Sequence, residues 1–232
     1  MIPKIFHLTS KSKKLSSTAQ GNVDVIRAFY PDYKILIHDD DDILQFIKKN
    51  YSEYYESTIS QMPKFIWVVD TVRYLVMDHY GGVYCDTDVL FRKRFEFDAG
   101  VIFVEREWTW PNDRSITDSV HNCIFASEPK HPVWTDILNG ITQNVRTVQS
   151  PTAQAGRFAK RVVAKLLGKS VYPLVFGVTG PNAISKIITQ NGSLKQHKDI
   201  RVVPGSQIFQ AGMSKGMLEE ASFVHGAAGS WQ

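Results

Sequence analysis

Apolar residues along this chain fall into short runs that alternate between strand-like and helix-like spacing. Residues 2–8 read as a buried first strand, followed by a polar loop over 9–17 and a short helix over 22–29 that Pro31 stops. Residues 33–37 form a second strand pattern, and Asp42 stands as a helix cap before the apolar positions of 43–50. From Pro63 the chain runs Lys-Phe-Ile-Trp-Val-Val-Asp-Thr-Val-Arg-Tyr-Leu-Val-Met, apolar nearly all round, which predicts a buried helix. Gly81-Gly82 ends that helix and turns the chain into a short strand at 83–85. Further strands are expected at 101–105 and 122–126, and further helices at 132–145, 153–167 and 181–190. Strands alternating with helices predict an α/β fold with a mainly parallel sheet. No repeat, low-complexity tract or linker divides the chain, so one domain over 1–232 is expected.

Composition narrows the class. The chain has 232 residues, 43% hydrophobic and 22% charged, which excludes disordered, collagen-like and disulfide-scaffold proteins. Lys and Arg number 27 against 23 acidic residues, and a net charge of +4 is too small to indicate a nucleic-acid partner. The two cysteines, Cys85 and Cys123, have no metal-site spacing and suit a reducing compartment. The most apolar window, 65–77, is broken by Asp70 and Arg73 and is too short to span a bilayer. The first residues enter a strand pattern with no basic and apolar leader, so a cytoplasmic protein is expected.

The chemistry concentrates in Gly81-Gly82-Val83-Tyr84-Cys85-Asp86-Thr87-Asp88-Val89. Two carboxylates two residues apart, just past the end of a strand, lie where open α/β sheets bind ligands. Hard oxygen donors at that spacing suit Mg²⁺ or Mn²⁺ bridging to a diphosphate. The alternative is a solvated turn held by side-chain-to-backbone hydrogen bonds. Asp70 and Arg73, three apart on a helix that is otherwise apolar, form a second charged group. They are either a structural pair pinning the helix or a grip on sugar hydroxyls and phosphate.

Taken together, Asp70-x-x-Arg73-Tyr74 and Gly81-Gly82-Val83-Tyr84-x-Asp86-x-Asp88 resemble the glycosyltransferases of family 32, with their sugar-binding region containing a DXD motif. Ile2-Pro3-Lys4-Ile5-Phe6-His7 resembles the strand that begins that family's nucleotide site, and Tyr30-Pro31-Asp32-Tyr33 the approach to its second strand. Asn122–Ser127 with His131-Pro132, Thr179-Gly180-Pro181, and His225 with Ser230-Trp231 are similar to later family segments, in family order. The resemblance implies a GT-A fold, a UDP- or GDP-sugar donor, a divalent metal, a glycan or other hydroxyl acceptor, and transfer with retention at the anomeric carbon. By position, it makes Asp88 a metal ligand and Asp86 a ligand, direct or through water, that also contacts the donor. It makes Asp70 and Arg73 the grip on the donor sugar, His225 the third metal ligand, and Ser230 and Trp231 a tail over the diphosphate. Phe6, His7 and Leu8 are expected to line the base pocket. The chain departs from the family after this strand, with Thr9 and Ser10 where many members carry a Trp.

Weaker signals remain. Asp39–Asp42 reads as a solvated turn and helix cap rather than a cation site. Trp108 and Trp110 are either an acceptor-sugar platform or loop packing. The helix over 156–167 places Arg157, Lys160, Arg161 and Lys165 opposite its apolar side, either an ordinary surface helix or a peripheral contact with an anionic membrane. Competing readings are a haloacid-dehalogenase-like phosphatase with Asp86 as nucleophile, which lacks the later acidic pair, and a non-catalytic nucleotide- or carbohydrate-binding module.

Overall fold

A computed structural model of the protein describes residues 1–106, 119–156, 174–210, 219 and 221–226. In chain order its elements are β1 (Ile5–Thr9), α1 (Ser17–Phe29), β2 (Lys34–His38), α2 (Asp40–Asn50), α3 (Ser52–Ser57) and α4 (Phe65–Tyr80). Then come β3 (Gly82–Cys85), β4 (Val89–Phe91), β5 (Val101–Glu105), β6 (Val120–Ser127), α5 (Pro132–Gln149) and α6 (Leu174–Val178). The last are α7 (Pro181–Gln190), α8 (Ser193–Gln196), β7 (Ile200–Val203), β8 (Ile208–Gln210) and β9 (Phe223–His225).

Six strands form a sheet in the order β2-β1-β3-β6-β5-β7. The β1–β2, β1–β3 and β5–β7 pairs are parallel, and β6 alone runs against both of its neighbours. The sheet is therefore mixed but mainly parallel, as the alternation of strands and helices predicts. A second sheet, β4-β9-β8, stands beside it.

Period-2 alternation splits the core into two layers, one on each face of the large sheet. Tyr84, Phe103 and Phe125 face α2, α4, α5 and α7, where Trp67, Leu75, Trp134 and Ile184 complete one cluster. Phe6, Leu8, Val83, Cys85 and Ile124 face the other way, onto Val23 and Ile26 of α1 and onto Phe91 and Phe223 of the small sheet.

Local rules account for the element ends. Asp39, not Asp42, caps α2: its side chain accepts from the Asp42 amide while Asp42 returns the contact to the Asp39 amide, a reciprocal capping box. Helix α4 begins at Phe65 rather than Pro63, because Lys64 is still extended at φ −141°. It ends where Gly81 takes φ 62° and Gly82 φ 100°. A Cβ at Gly82 would lie 2.5 Å from the Ile5 carbonyl oxygen, so the β1–β3 contact itself demands glycine there. Among the described residues, no helix is long and apolar enough to cross a membrane.

Candidate active site

The candidate residues meet at the C-terminal ends of the parallel strands, where the chain leaves β3. Asp86 and Asp88 follow that strand directly. The Asp86 amide donates to the Cys123 carbonyl at 2.8 Å and the Val89 amide to the Asp86 carbonyl at 3.1 Å, which shapes the turn. The chain then enters β4, and β9 pairs antiparallel with it, setting Val89 opposite His225. That pairing brings a residue from the end of the chain to the carboxylates. His225 Nε2 lies 3.5 Å from Asp88 Oδ1, and one ligand atom from each of Asp86, Asp88 and His225 falls within a 4.8 Å cluster. Burial disfavours charge on His225, but its hydrogen bond to Asp88 and the charges of Asp88 and Asp86 win, so its pKa is raised.

Behind this cluster lies a buried ion network. Arg73, only 4% exposed, reaches Asp70 through Nη2 at 2.9 Å and Asp86 through Nη1 at 3.2 Å. The same Nη1 donates to the Asn122 carbonyl at 2.7 Å, while Nε has no partner. The guanidinium also stacks 4.9 Å above the Tyr84 ring. Tyr84 in turn donates its phenol proton to Asp86 Oδ1 at 2.6 Å and lies 2.8 Å from the Thr9 hydroxyl. The Thr179 hydroxyl donates to the other oxygen of Asp70 at 3.2 Å, and the Asn122 amide donates more weakly, at 3.4 Å, to the oxygen that Arg73 engages. Burial still dominates: the pKa of Asp70 is pushed up to about 6, against the pull of Arg73. Arg73 thus joins the two carboxylates and leaves almost no surface of its own.

The other expected residues divide. His7 is buried but polar, 3.0 Å from His38 Nε2 through Nδ1 and 3.1 Å from the Gly81 carbonyl through Nε2, with the two rings stacked. Burial lowers its pKa to about 3 and that of His38 to about 4, so both imidazoles are neutral. Phe6 and Leu8 correct the sequence reading. Neither has exposed surface, because β1 turns both toward α1, where Phe6 packs on Tyr30, Tyr33 and Phe91. Ser230, Trp231, Trp108, Trp110 and the basic stretch after Gly156 lie outside the described residues. Cys85 and Cys123 are free and buried; burial and then the nearby Asp86 raise both pKa values, so neither is a nucleophile.

Several site residues escaped the sequence reading. Tyr84 and Thr179 were seen only as parts of motifs, and Thr9 only as a departure from one. Asn22 was passed over altogether. It is buried in the apolar stripe of α1, and its amide donates to the Thr87 carbonyl at 2.9 Å, between the two aspartates. A lone asparagine in a core-facing stripe was the signal that could have found it.

A mixed, mainly parallel sheet with a DXD turn at its strand ends has the architecture of the GT-A fold. Two solved structures share this fold: the PaToxG glycosyltransferase, with TM-score 0.56 and 19% identity over 84% of this chain and 75% of that one, and the UDP-bound glycosyltransferase domain of the YGT toxin, with TM-score 0.53 and 10% identity over 87% and 79%. Residues 16–108 match the family model described as the glycosyltransferase sugar-binding region containing DXD motif. Over that segment the chain is similar to the sugar-binding region of this family, and the curated relatives it matches are glycosyltransferases. Among curated relatives, inositol phosphoceramide mannosyltransferase 1 of Schizosaccharomyces pombe is 26% identical over 88% of this chain and 56% of its own length. Mannosyl phosphorylinositol ceramide synthase SUR1 of Saccharomyces cerevisiae is 28% identical over 61% of this chain and 35% of its own. An uncharacterized glycosyltransferase, L373 of Acanthamoeba polyphaga mimivirus, is 25% identical over 51% and 46%. The chain thus spans about half the length, or less, of these relatives. The phosphatase reading finds no support, since Arg73 and Tyr84 both engage the Asp86 carboxylate that would have to attack.

Proposed function

We propose that this chain is a metal-dependent, retaining glycosyltransferase that moves a sugar from a UDP- or GDP-sugar to a hydroxyl acceptor. The observation that carries the proposal is the convergence of Asp86, Asp88 and His225, which are far apart in the sequence and meet within 4.8 Å. Two carboxylates and one imidazole, each partly exposed, fit Mn²⁺ or Mg²⁺ by donor type. A divalent ion held there would neutralise the charge that a nucleoside diphosphate gains as it leaves.

The chain's own residues supply the rest. Asp86 is held by Arg73 and Tyr84, so its carboxylate meets the donor in one fixed orientation. Asp70 offers its remaining lone pairs to sugar hydroxyls, and Thr179 and Asn122 restrict its rotation. With both oxygens engaged and Arg73 between it and Asp86, Asp70 is badly placed as a covalent nucleophile. Same-face attack by the acceptor through an oxocarbenium-like transition state is preferred over double displacement on the family resemblance.

The names of the fungal relatives make mannose the first sugar to test, and an inositol-bearing phospholipid the first acceptor. The experiment is a panel of GDP- and UDP-sugars with Mn²⁺, read as nucleotide release. Slow release, abolished by EDTA and by Asp88→Asn and restored to the native chain by Mn²⁺, is expected. A chain that neither binds nor turns over any sugar nucleotide with Mn²⁺ present overturns the proposal. Binding without turnover would identify a non-catalytic module instead.

A further inference from the structure

The turn that carries the two aspartates is held on every side. The Asp86 amide and carbonyl are fixed by Cys123 and Val89, and the Asp88 carbonyl accepts from the Gly226 amide at 2.9 Å, at the end of β9. The carbonyl of Thr87, the residue between the two candidate ligands, is held by the Asn22 side chain at 2.9 Å. Asn22 is only 8% exposed and shares its face of α1 with Val23 and Ile26, which are fully buried. An apolar residue at this position would bury more hydrocarbon, so an amide there must be satisfied to be tolerated. Its partner in this fold is the peptide carbonyl that joins the halves of Asp-Thr-Asp.

We propose that Asn22 is a positioning residue for the metal site: by holding the Thr87 carbonyl, it presets the spacing and direction of Asp86 and Asp88 before an ion arrives. Helix α1 packs on the opposite face of the sheet from Asp70 and Arg73. Asn22 is thus the link between the core under α1 and the ligand turn. Without it, the Thr87 peptide can rotate, and ion binding must supply the ordering that the hydrogen bond now provides. Groups that orient metal ligands typically change affinity by roughly 10- to 100-fold when removed.

This inference rests on the proposed metal-dependent function, and the test separates the two. Mn²⁺ is titrated into the full chain and into the Asn22→Ala and Asn22→Asp variants. Free Mn²⁺ is followed by its electron paramagnetic resonance signal, and helix content by circular dichroism. The aspartate variant keeps the shape of the side chain but turns an acceptor toward the carbonyl, so it remains informative if the alanine variant folds poorly.

Both variants are expected to raise the Mn²⁺ dissociation constant by about 10-fold or more while folding as the native chain does. Sugar-nucleotide turnover in Asn22→Ala should recover toward the native rate at saturating Mn²⁺, because the defect lies in ion affinity. A merely structural asparagine would lower the melting temperature and leave the Mn²⁺ affinity alone. If the native chain binds Mn²⁺ and the folded variants bind it equally well, this inference fails alone. If the native chain does not bind Mn²⁺, the metal-dependent reading fails with it.

Discussion

Asp70→Asn tests the cost of the buried network. Asp70 is 7% exposed, and burial outweighs the attraction of Arg73, so its pKa stands at about 6 rather than 3.8. The folded state therefore holds that proton more tightly than the unfolded state. Stability from this group is fully present below about pH 4 and is lost as pH rises to 6. The loss approaches about 3 kcal/mol at neutral pH. Asparagine removes the buried charge and can still accept from Arg73, while its amide can donate to the Thr179 hydroxyl. The charge-assisted part of the Asp70–Arg73 contact at 2.9 Å is lost, which offsets some of the gain. The expected net effect at pH 7.5 is a stabilisation of about 1–3 kcal/mol, or roughly 2–10 °C in Tm for a chain of this size. Under the proposed function, in which Asp70 grips the donor sugar, nucleotide-sugar turnover should fall by about 100-fold or more. The assay is denaturant unfolding of both proteins from pH 7.5 to pH 4, paired with nucleotide release. A variant less stable than the native chain at pH 7.5, or a difference that does not shrink toward pH 4, would refute the claim that Asp70 is kept at a cost to the fold.

Three other outcomes follow from the geometry. Tyr84→Phe keeps the ring under Arg73 but removes the proton donated to Asp86 and strands the Thr9 hydroxyl, so a loss of about 1–3 kcal/mol is expected in urea unfolding; a neutral result would mean that the phenol is not holding the carboxylate. Gly82→Ala forces a Cβ to 2.5 Å from the Ile5 carbonyl at φ 100° and should cost on the order of 3 kcal/mol or more, visible as lost soluble protein or a collapsed Tm. His7 and His38, neutral in the fold with pKa values near 3 and 4, take up protons first in the unfolded chain, so their contribution is intact above about pH 6.5 and declines as the pH falls. At pH 5 each costs about 2 kcal/mol, and in His38→Gln the slope of stability against pH between 7 and 5 should be visibly shallower.

How much of this could be read in advance depends on the range of the interactions. Helix α4 was legible because its apolar residues cover nearly every side, which only a buried helix tolerates, and Asp70 and Arg73 were conspicuous against that background. Strands β5 and β6 announced themselves by β-branched and aromatic runs. Strands β4, β8 and β9 have three residues each, too few to show a period, so the pairing that delivers His225 to Asp88 left no local trace. His225 could be named only from its place in a family pattern. Phe6 and Leu8 went astray for a related reason. The β1 motif locates the strand, but which parity of its residues faces the core is settled by α1 and the small sheet on one side and by α4 on the other. Asn22 sits on the boundary between these cases. Its helix was expected, and the oddity of an amide among Val23 and Ile26 was visible, but its meaning depends on a carbonyl 65 residues away. Polar residues that break an apolar stripe are therefore where a sequence of this kind signals a long-range contact without naming the partner, and here the partner lies inside the Asp86–Asp88 turn.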